Sequence, residues 1–192
     1  MCGISGFIEV NKSNKSKDII KKMTSKLRHR GANDYGIEAV SEKPFIYFGH
    51  TRLSIIDLTH AAHQPMQTDD KNLTLIFNGE IYNYIELRDK LILSGIEFKT
   101  KSDTEVVLRA YERYGFDCFK KFNGMWSIAI FDNVNNTLVL SRDRFGKKPL
   151  YYYKTESSII FASEIKSLFE HPKVKKNPNY KKIYKYLSTN YR

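Results

Sequence analysis

Cys2 is the residue of this chain best placed to do chemistry, because it follows Met1 directly and leads into a strand-like run, MCGISGFIEV. A small second residue favours removal of the initiator methionine. Cys2 would then carry both a thiol and a free α-amine. A thiol of pKa ~8.5 is only a few per cent thiolate at neutral pH and needs a base or a lowered pKa. An α-amine of pKa about 7.7–8.0 is such a base, fixed to the nucleophile by covalent bonds. None of His29, His50, His60, His63 or His171 is required, and these five are expected to be structural or surface residues. By position alone, a frayed terminal residue or a small buried apolar one is the commoner reading of such a cysteine, ahead of a catalytic one.

The elements that must hold such a site can be read from periodicity. KDIIKKMTSKLRHR sets Ile19, Ile20, Met23 and Leu27 at helical spacing and predicts an amphipathic helix ending before Gly31. KPFIYFGH and LTLIFNGE read as strands, each terminated at a glycine. NYIELRDKLILSG predicts a helix stopping at Gly95. SDTEVVLRAYERYG pairs Ser102 with Glu105 in a capping-box pattern and predicts a helix ending at Gly115. GMWSIAIFD, NVNN and TLVLSRD predict one hairpin; PLYYY, KTES and SIIFAS predict another, and EIKSLFE a short helix. Hairpins interleaved with few helices predict an α+β domain with antiparallel sheets, since parallel strands need a crossover between them.

Several stretches belong together: MCGISGF, RHRGANDYG, GHTRLSIID, AAHQPM, FNGEIYNY, SDTE, RDRFGKKPLYYY and FASEIKSL. In unbroken order from Cys2 to about Leu168, they closely resemble the glutaminase domain of glutamine-dependent asparagine synthetases, a class II glutamine amidotransferase on the N-terminal-nucleophile hydrolase fold. The resemblance implies a four-layer αββα sandwich, two antiparallel sheets face to face with helices outside, and the cysteine at the end of a central strand. It implies a domain over residues 2–171. Residues 172–192 would be a basic linker and the start of a helix leading to a C-terminal synthetase domain.

The resemblance also implies roles. The Cys2 thiol attacks the carboxamide of glutamine, giving an oxyanion, then a thioester and ammonia, and finally glutamate. Asn78 and Gly79 match the family's oxyanion donors, through the side-chain amide and the backbone N–H; read alone, the pair is a plain turn. Arg52 matches the clamp for the substrate's α-carboxylate, which its planar fork suits. Asp103 matches the residue holding the α-ammonium, with Glu80 assisting; an acid in a helix's first turn is favoured by the dipole in any case. No cofactor or metal is expected in this domain, and no His/Cys cluster has metal-ligand spacing. ATP and magnesium are expected only for the synthetase domain.

Where the family usually reads His-Arg-Gly-Pro-Asp, this chain has His29-Arg30-Gly31-Ala32-Asn33, then Asp34. The change bears on that loop's stiffness and charge, not on nucleophile, oxyanion or clamp positions. Two other functions compete: the glutaminase of a sugar-acid, sugar-phosphate or phosphoribosyl amidotransferase, and a non-catalytic scaffold. The acceptor, with aspartate first, and the oligomeric state, a homodimer included, stay open.

Composition narrows the partners. The net charge of +11 is concentrated at the end: from Pro172 onward six lysines and one arginine meet no acid, leaving +4 on the rest. This reads as a solvated linker, and nucleic acid is not an expected partner. No apolar run approaches the ~20 residues that span a bilayer, and no signal peptide opens the chain, so a cytoplasmic address and reduced Cys2 and Cys118 are expected. In YKKIYKYLSTNYR, Tyr180, Ile183, Tyr184 and Leu187 mark an apolar helical face that wants a partner.

Overall fold

The computed structural model describes residues 1–11 and 14–189. In chain order the main elements are β1 (Gly3–Glu9), α1 (Ser16–Ser25), β2 (Asp34–Glu42), β3 (Phe45–Arg52), β4 (Met66–Gln67) and β5 (Leu73–Ile81). They continue with α2 (Tyr84–Leu93), α3 (Asp103–Tyr114), α4 (Cys118–Lys121), β6 (Gly124–Asp132) and β7 (Thr137–Arg142). The last are β8 (Tyr151–Lys154), β9 (Ser158–Ala162), α5 (Ile165–Leu168) and α6 (Tyr180–Thr189). One antiparallel sheet has the order β2-β3-β1-β9-β8, the other β4-β5-β6-β7.

Three apolar layers show how these stack. Ile4, Phe48 and Phe161 of the first sheet meet Ile76 and Phe131 of the second, all buried. Phe7, on the opposite face of β1 from Ile4, packs with Ile20 and Met23 of α1 and Leu168 of α5. Phe77 and Ile128 of the second sheet pack against Leu91 of α2 and Val107 of α3. The result is the expected αββα sandwich. Its centre is buried on both faces, each fully buried large apolar side chain contributing about 1.5–3 kcal/mol.

Two of the three helices read to stop at a glycine do so, with Gly95 at φ +86° and Gly115 at φ +54°, whereas α1 ends at Ser25, ahead of a separate 3-10 turn over Arg28–Arg30. The glycines read as strand ends behave differently. β3 runs through Gly49 to Arg52, and β5 runs through Gly79 to Ile81. Each marks a close approach: a Cβ on Gly49 would lie 1.9 Å from Thr24 Oγ1 of α1, and one on Gly79 would lie 2.3 Å from the Met125 carbonyl. The capping box is also revised. Ser102 accepts the Thr104 N–H at 3.0 Å, but Glu105 reaches past it to the N–H groups of Lys99 and Thr100.

Three elements escaped the periodicity: β2, β4 and α4. β2 is a half-exposed edge strand with a bulge between Ala39 and Ser41, so DYGIEAVSE shows little apolar alternation. At the other end, Val174 is buried and Lys173 Nζ pairs with Glu9 Oε1 at 2.7 Å, so the packed body reaches that far. α6 is exposed along its length, Leu187 to 74%. The rest of that expected helix, residues 190–192, lies outside the described residues. Among the described residues no helix is long and apolar enough to cross a membrane.

Candidate active site

Cys2 stands at the head of β1, the middle strand of the five-stranded sheet. Its carbonyl accepts from Arg30 Nε at 2.8 Å, and Arg30 Nη1 pairs with Glu164 Oε1 at 2.8 Å. Two residues on, Ile4 N–H donates to Ser163 Oγ at 3.0 Å. The start of the strand is thereby fixed to the turn after β9. Against the upward pull of its own burial, Arg30, Lys166 and His29 hold Glu164 at a pKa of about 2, so this anchor stays charged.

Cys2 Sγ accepts the Leu53 N–H at 3.3 Å. Burial nevertheless pushes the thiol above its ordinary value, opposed by that N–H, the chain's terminal ammonium and Arg52, and reinforced by Asp103. The thiol is placed but not activated by its surroundings.

Arg52 ends β3 and is 7% exposed. Its Nη1 donates to the Thr59 carbonyl at 2.8 Å and its Nη2 to the Asp57 carbonyl. Neutral carbonyls steady the guanidinium without cancelling its charge. Asp57 carries no ion pair to it; its carboxylate instead accepts from Thr59 N–H and Lys101 N–H.

β5 supplies three residues at once. Along an antiparallel strand successive N–H groups alternate sides. On the side away from β6, Phe77 N–H is taken by Gln64 Oε1 at 2.7 Å and Ile81 N–H by Asp103 Oδ2 at 3.1 Å. The Gly79 N–H falls between them on that side, where Gly79 borders a cavity. Asn78 is 1% exposed, and among the described residues its Nδ2 has no hydrogen-bond partner. A buried donor left unpaired costs about 1–3 kcal/mol, so this amide has the capacity to receive an acceptor. Because β5 continues through the pair, Asn78 opposite Ser127 and Gly79 opposite Trp126, the turn reading of Asn-Gly fails.

The cavity measures about 280 Å³, near the lower end of the ~300–1,000 Å³ typical of small-molecule sites. Cys2, Arg52, Asn78, Gly79, Glu80 and Asp103 all line it. Cys2 and Arg52 come from one sheet, the Asn78–Glu80 stretch from the other, and Asp103 from the first turn of α3. Sequence reasoning assigned no role to Arg30, Leu53, Gln64 or Glu164. Arg30 and Glu164 lie inside recognised motifs, but their partnership spans 134 positions and leaves no local signal. Asn33, at the departure from the family pattern, accepts the Ser54 N–H through Oδ1 at 3.1 Å, which ties that loop to the segment after Arg52.

Asp103 is raised from 3.8 to about 6, by burial first and then by the nearby Glu80 charge, against the Ile81 N–H bond. The sign follows. Below 3.8 neither folded nor unfolded chain carries this charge, and above about 6 both do, so the folded chain bears the full cost at pH 7. That cost is on the order of 3 kcal/mol. Asp103→Asn is therefore expected to raise the melting temperature at pH 7 by several degrees, with the gain shrinking as pH falls below about 6. Melting curves of both proteins at pH 4.5 and 7.5 check it; a lower melting point at both would show that the charge is not a burden.

Two antiparallel sheets packed face to face, with helices outside and Cys2 at the head of a central strand, make up the αββα fold of this chain. A solved glutamine phosphoribosylpyrophosphate amidotransferase from B. subtilis shares it, with a TM-score of 0.74 over 88% of this chain and 43% of that one, at 22% identity. The chain belongs to the glutamine amidotransferase domain family, which matches residues 1–192. It is 41% identical over 184 residues to asparagine synthetase [glutamine-hydrolyzing] 2 of Bacillus subtilis, covering 94% of this chain and 24% of that protein. With asparagine synthetase [glutamine-hydrolyzing] 3 of the same organism it shares 38% over 178 residues, 91% of this chain and 28% of the relative. The chain spans between 24% and 38% of the length of such relatives.

Proposed function

We propose that this chain hydrolyses glutamine to glutamate and ammonia through a thioester on Cys2. Once Met1 is removed, the α-amine of Cys2 takes the thiol proton as sulfur bonds to the carboxamide carbon. The carbonyl oxygen becomes an oxyanion between Asn78 Nδ2 and the Gly79 N–H. The amine then returns its proton to the departing nitrogen, the C–N bond breaks and ammonia leaves. Water attacks the thioester with the same amine as base, releasing glutamate and restoring the thiol. Arg52 receives the substrate's α-carboxylate, and Asp103 with Glu80 its α-ammonium. The observation that carries this reading is the unpaired, buried Asn78 amide on a cavity shared with Cys2. Incubating chain with a verified Cys2 terminus with glutamine and measuring glutamate tests it; no turnover would leave a scaffold role.

Arg52→Ala and Asp103→Asn are expected to raise the KM for glutamine far more than they lower kcat. Each leaves one substrate charge buried without its partner, a loss of about 2–5 kcal/mol. Steady-state kinetics over a wide glutamine range decide it, and unchanged KM in both variants would displace the clamp from these residues. With a carboxyl near pKa 6, wild-type KM is also expected to rise as pH falls below about 6, because protonated Asp103 no longer pairs with an ammonium.

The ammonia is consumed, in this proposal, by an ATP-dependent synthetase domain in a longer chain, which amidates a carboxylate, aspartate first. The names of the relatives and the length they leave unmatched support it. The exposed face of α6 suits contact with such a domain. A free cysteine nucleophile of this kind belongs in the reducing cytoplasm.

A further inference from the structure

We propose that Asp34, His60 and His63 form a binding site for a zinc-class divalent cation, which clasps the segment after β3 to β2. Asp34 opens β2, while His60 begins a single 3-10 turn, His60–Ala62, that His63 follows directly. One ligand atom from each of the three lies within 4.8 Å of the others. Asp34 Oδ2 and His63 Nδ1 are 2.7 Å apart, and the two imidazoles stack with centroids 5.0 Å apart and planes 5° off parallel. The chain order hid this group because the carboxylate comes from a different element.

The donor set chooses the ion. Two imidazoles and one carboxylate suit zinc and its first-row neighbours, whereas magnesium and calcium call for oxygen throughout. His60 is exposed and the other two are half-buried, so water can complete a four-coordinate site. Two of the ligands are already oriented. His63 Nε2 faces the backbone at Gly36, where a Cβ would sit 2.8 Å from it, so Nδ1 is the nitrogen left for metal. Asp34 Oδ1 accepts the Tyr35 N–H at 2.7 Å, leaving Oδ2 for the ion. One cation enters as the proton shared by Asp34 and His63 leaves.

The site adjoins Arg52. Asp34 is its cross-strand partner, and Thr59, whose carbonyl holds the guanidinium, precedes His60. Gln64, next to His63, bridges Phe77 N–H and Thr104 Oγ1. A bound ion therefore stiffens the frame of the clamp; this consequence, unlike the metal site itself, rests on the role proposed above for Arg52.

The test uses the full chain, stripped with a chelator and titrated with zinc chloride alone by calorimetry, with cobalt absorption as a second readout. One equivalent is expected, with cobalt bands lacking sulfur charge transfer. His60→Ala leaves the Asp34–His63 hydrogen bond in place and removes an exposed side chain, so it should fold normally. It should nonetheless weaken zinc binding by at least about 100-fold, beyond the 10–100-fold typical of groups behind a ligand. Cys2→Ala should keep its equivalent of zinc. Absence of saturable binding, or binding that survives His60→Ala and disappears in Cys2→Ala, overturns the proposal. No readout involves glutamine, so failure of the amidotransferase reading would leave these results standing.

Discussion

Cys2→Ala is expected to abolish glutamine hydrolysis, a fall on the order of 10⁶ as for other nucleophile deletions, with an unchanged melting curve. The fold is spared because the contacts that fix this end of β1 are made by the backbone, the Cys2 carbonyl to Arg30 and the Ile4 N–H to Ser163. The companion expectation separates the base from the nucleophile. Protein shown by mass spectrometry to retain Met1 should also be inactive, since its Cys2 nitrogen is an amide with no basic lone pair. Met1 also borders the cavity, so retention narrows the space for substrate. Burial raises the thiol pKa, which makes the demand for a base sharper than composition alone suggests. Appreciable turnover by the Met1-bearing form would sink the α-amine mechanism.

Asn78→Ala is expected to lower turnover by about 10²–10³ at saturating glutamine, the usual effect of losing one oxyanion donor, while KM changes little. The melting temperature should hold or rise, because the substitution removes a buried amide donor that has no partner in the folded protein. Asn78→Asp should be worse. A carboxylate there would meet the oxyanion with like charge, in a cavity already lined by Glu80 and Asp103. Near-normal turnover with a reduced melting point would make Asn78 a packing residue and withdraw the strongest support for chemistry at Cys2.

The outer helices and the hairpins were legible because their apolar spacing and glycine stops are local properties. The candidate site residues were grouped for another reason, short motifs in fixed order, and the fold brings those residues to one cavity. What stayed hidden depends on distance or geometry. Gly49 and Gly79 look like terminators until the close contacts across α1 and β6 are seen. The half-exposed, bulged course of an edge strand, with little apolar alternation, concealed β2. No local pattern announces that Arg30 reaches Glu164, or that Asp34 meets two histidines from the segment beyond β3. The Asn78 amide gains its meaning only from being unpaired, a fact about neighbours rather than about sequence.

The division of the site between two sheets makes activity a gauge of their docking. Cys2 and Arg52 ride on the first sheet and the proposed oxyanion donors, Asn78 and Gly79, on the second, so the gap between them is set by the side chains of the central layer, Phe48, Phe131 and Phe161 among them. A large-to-small change in that layer leaves a cavity into which the sheets can relax, at a cost of about 3–5 kcal/mol for phenylalanine to alanine. Even a displacement too slight to alter helix content would part the nucleophile from its donors. On gentle heating, then, hydrolysis should fail before the circular dichroism signal does. A chain caught with its sheets undocked holds a thiol that releases no ammonia.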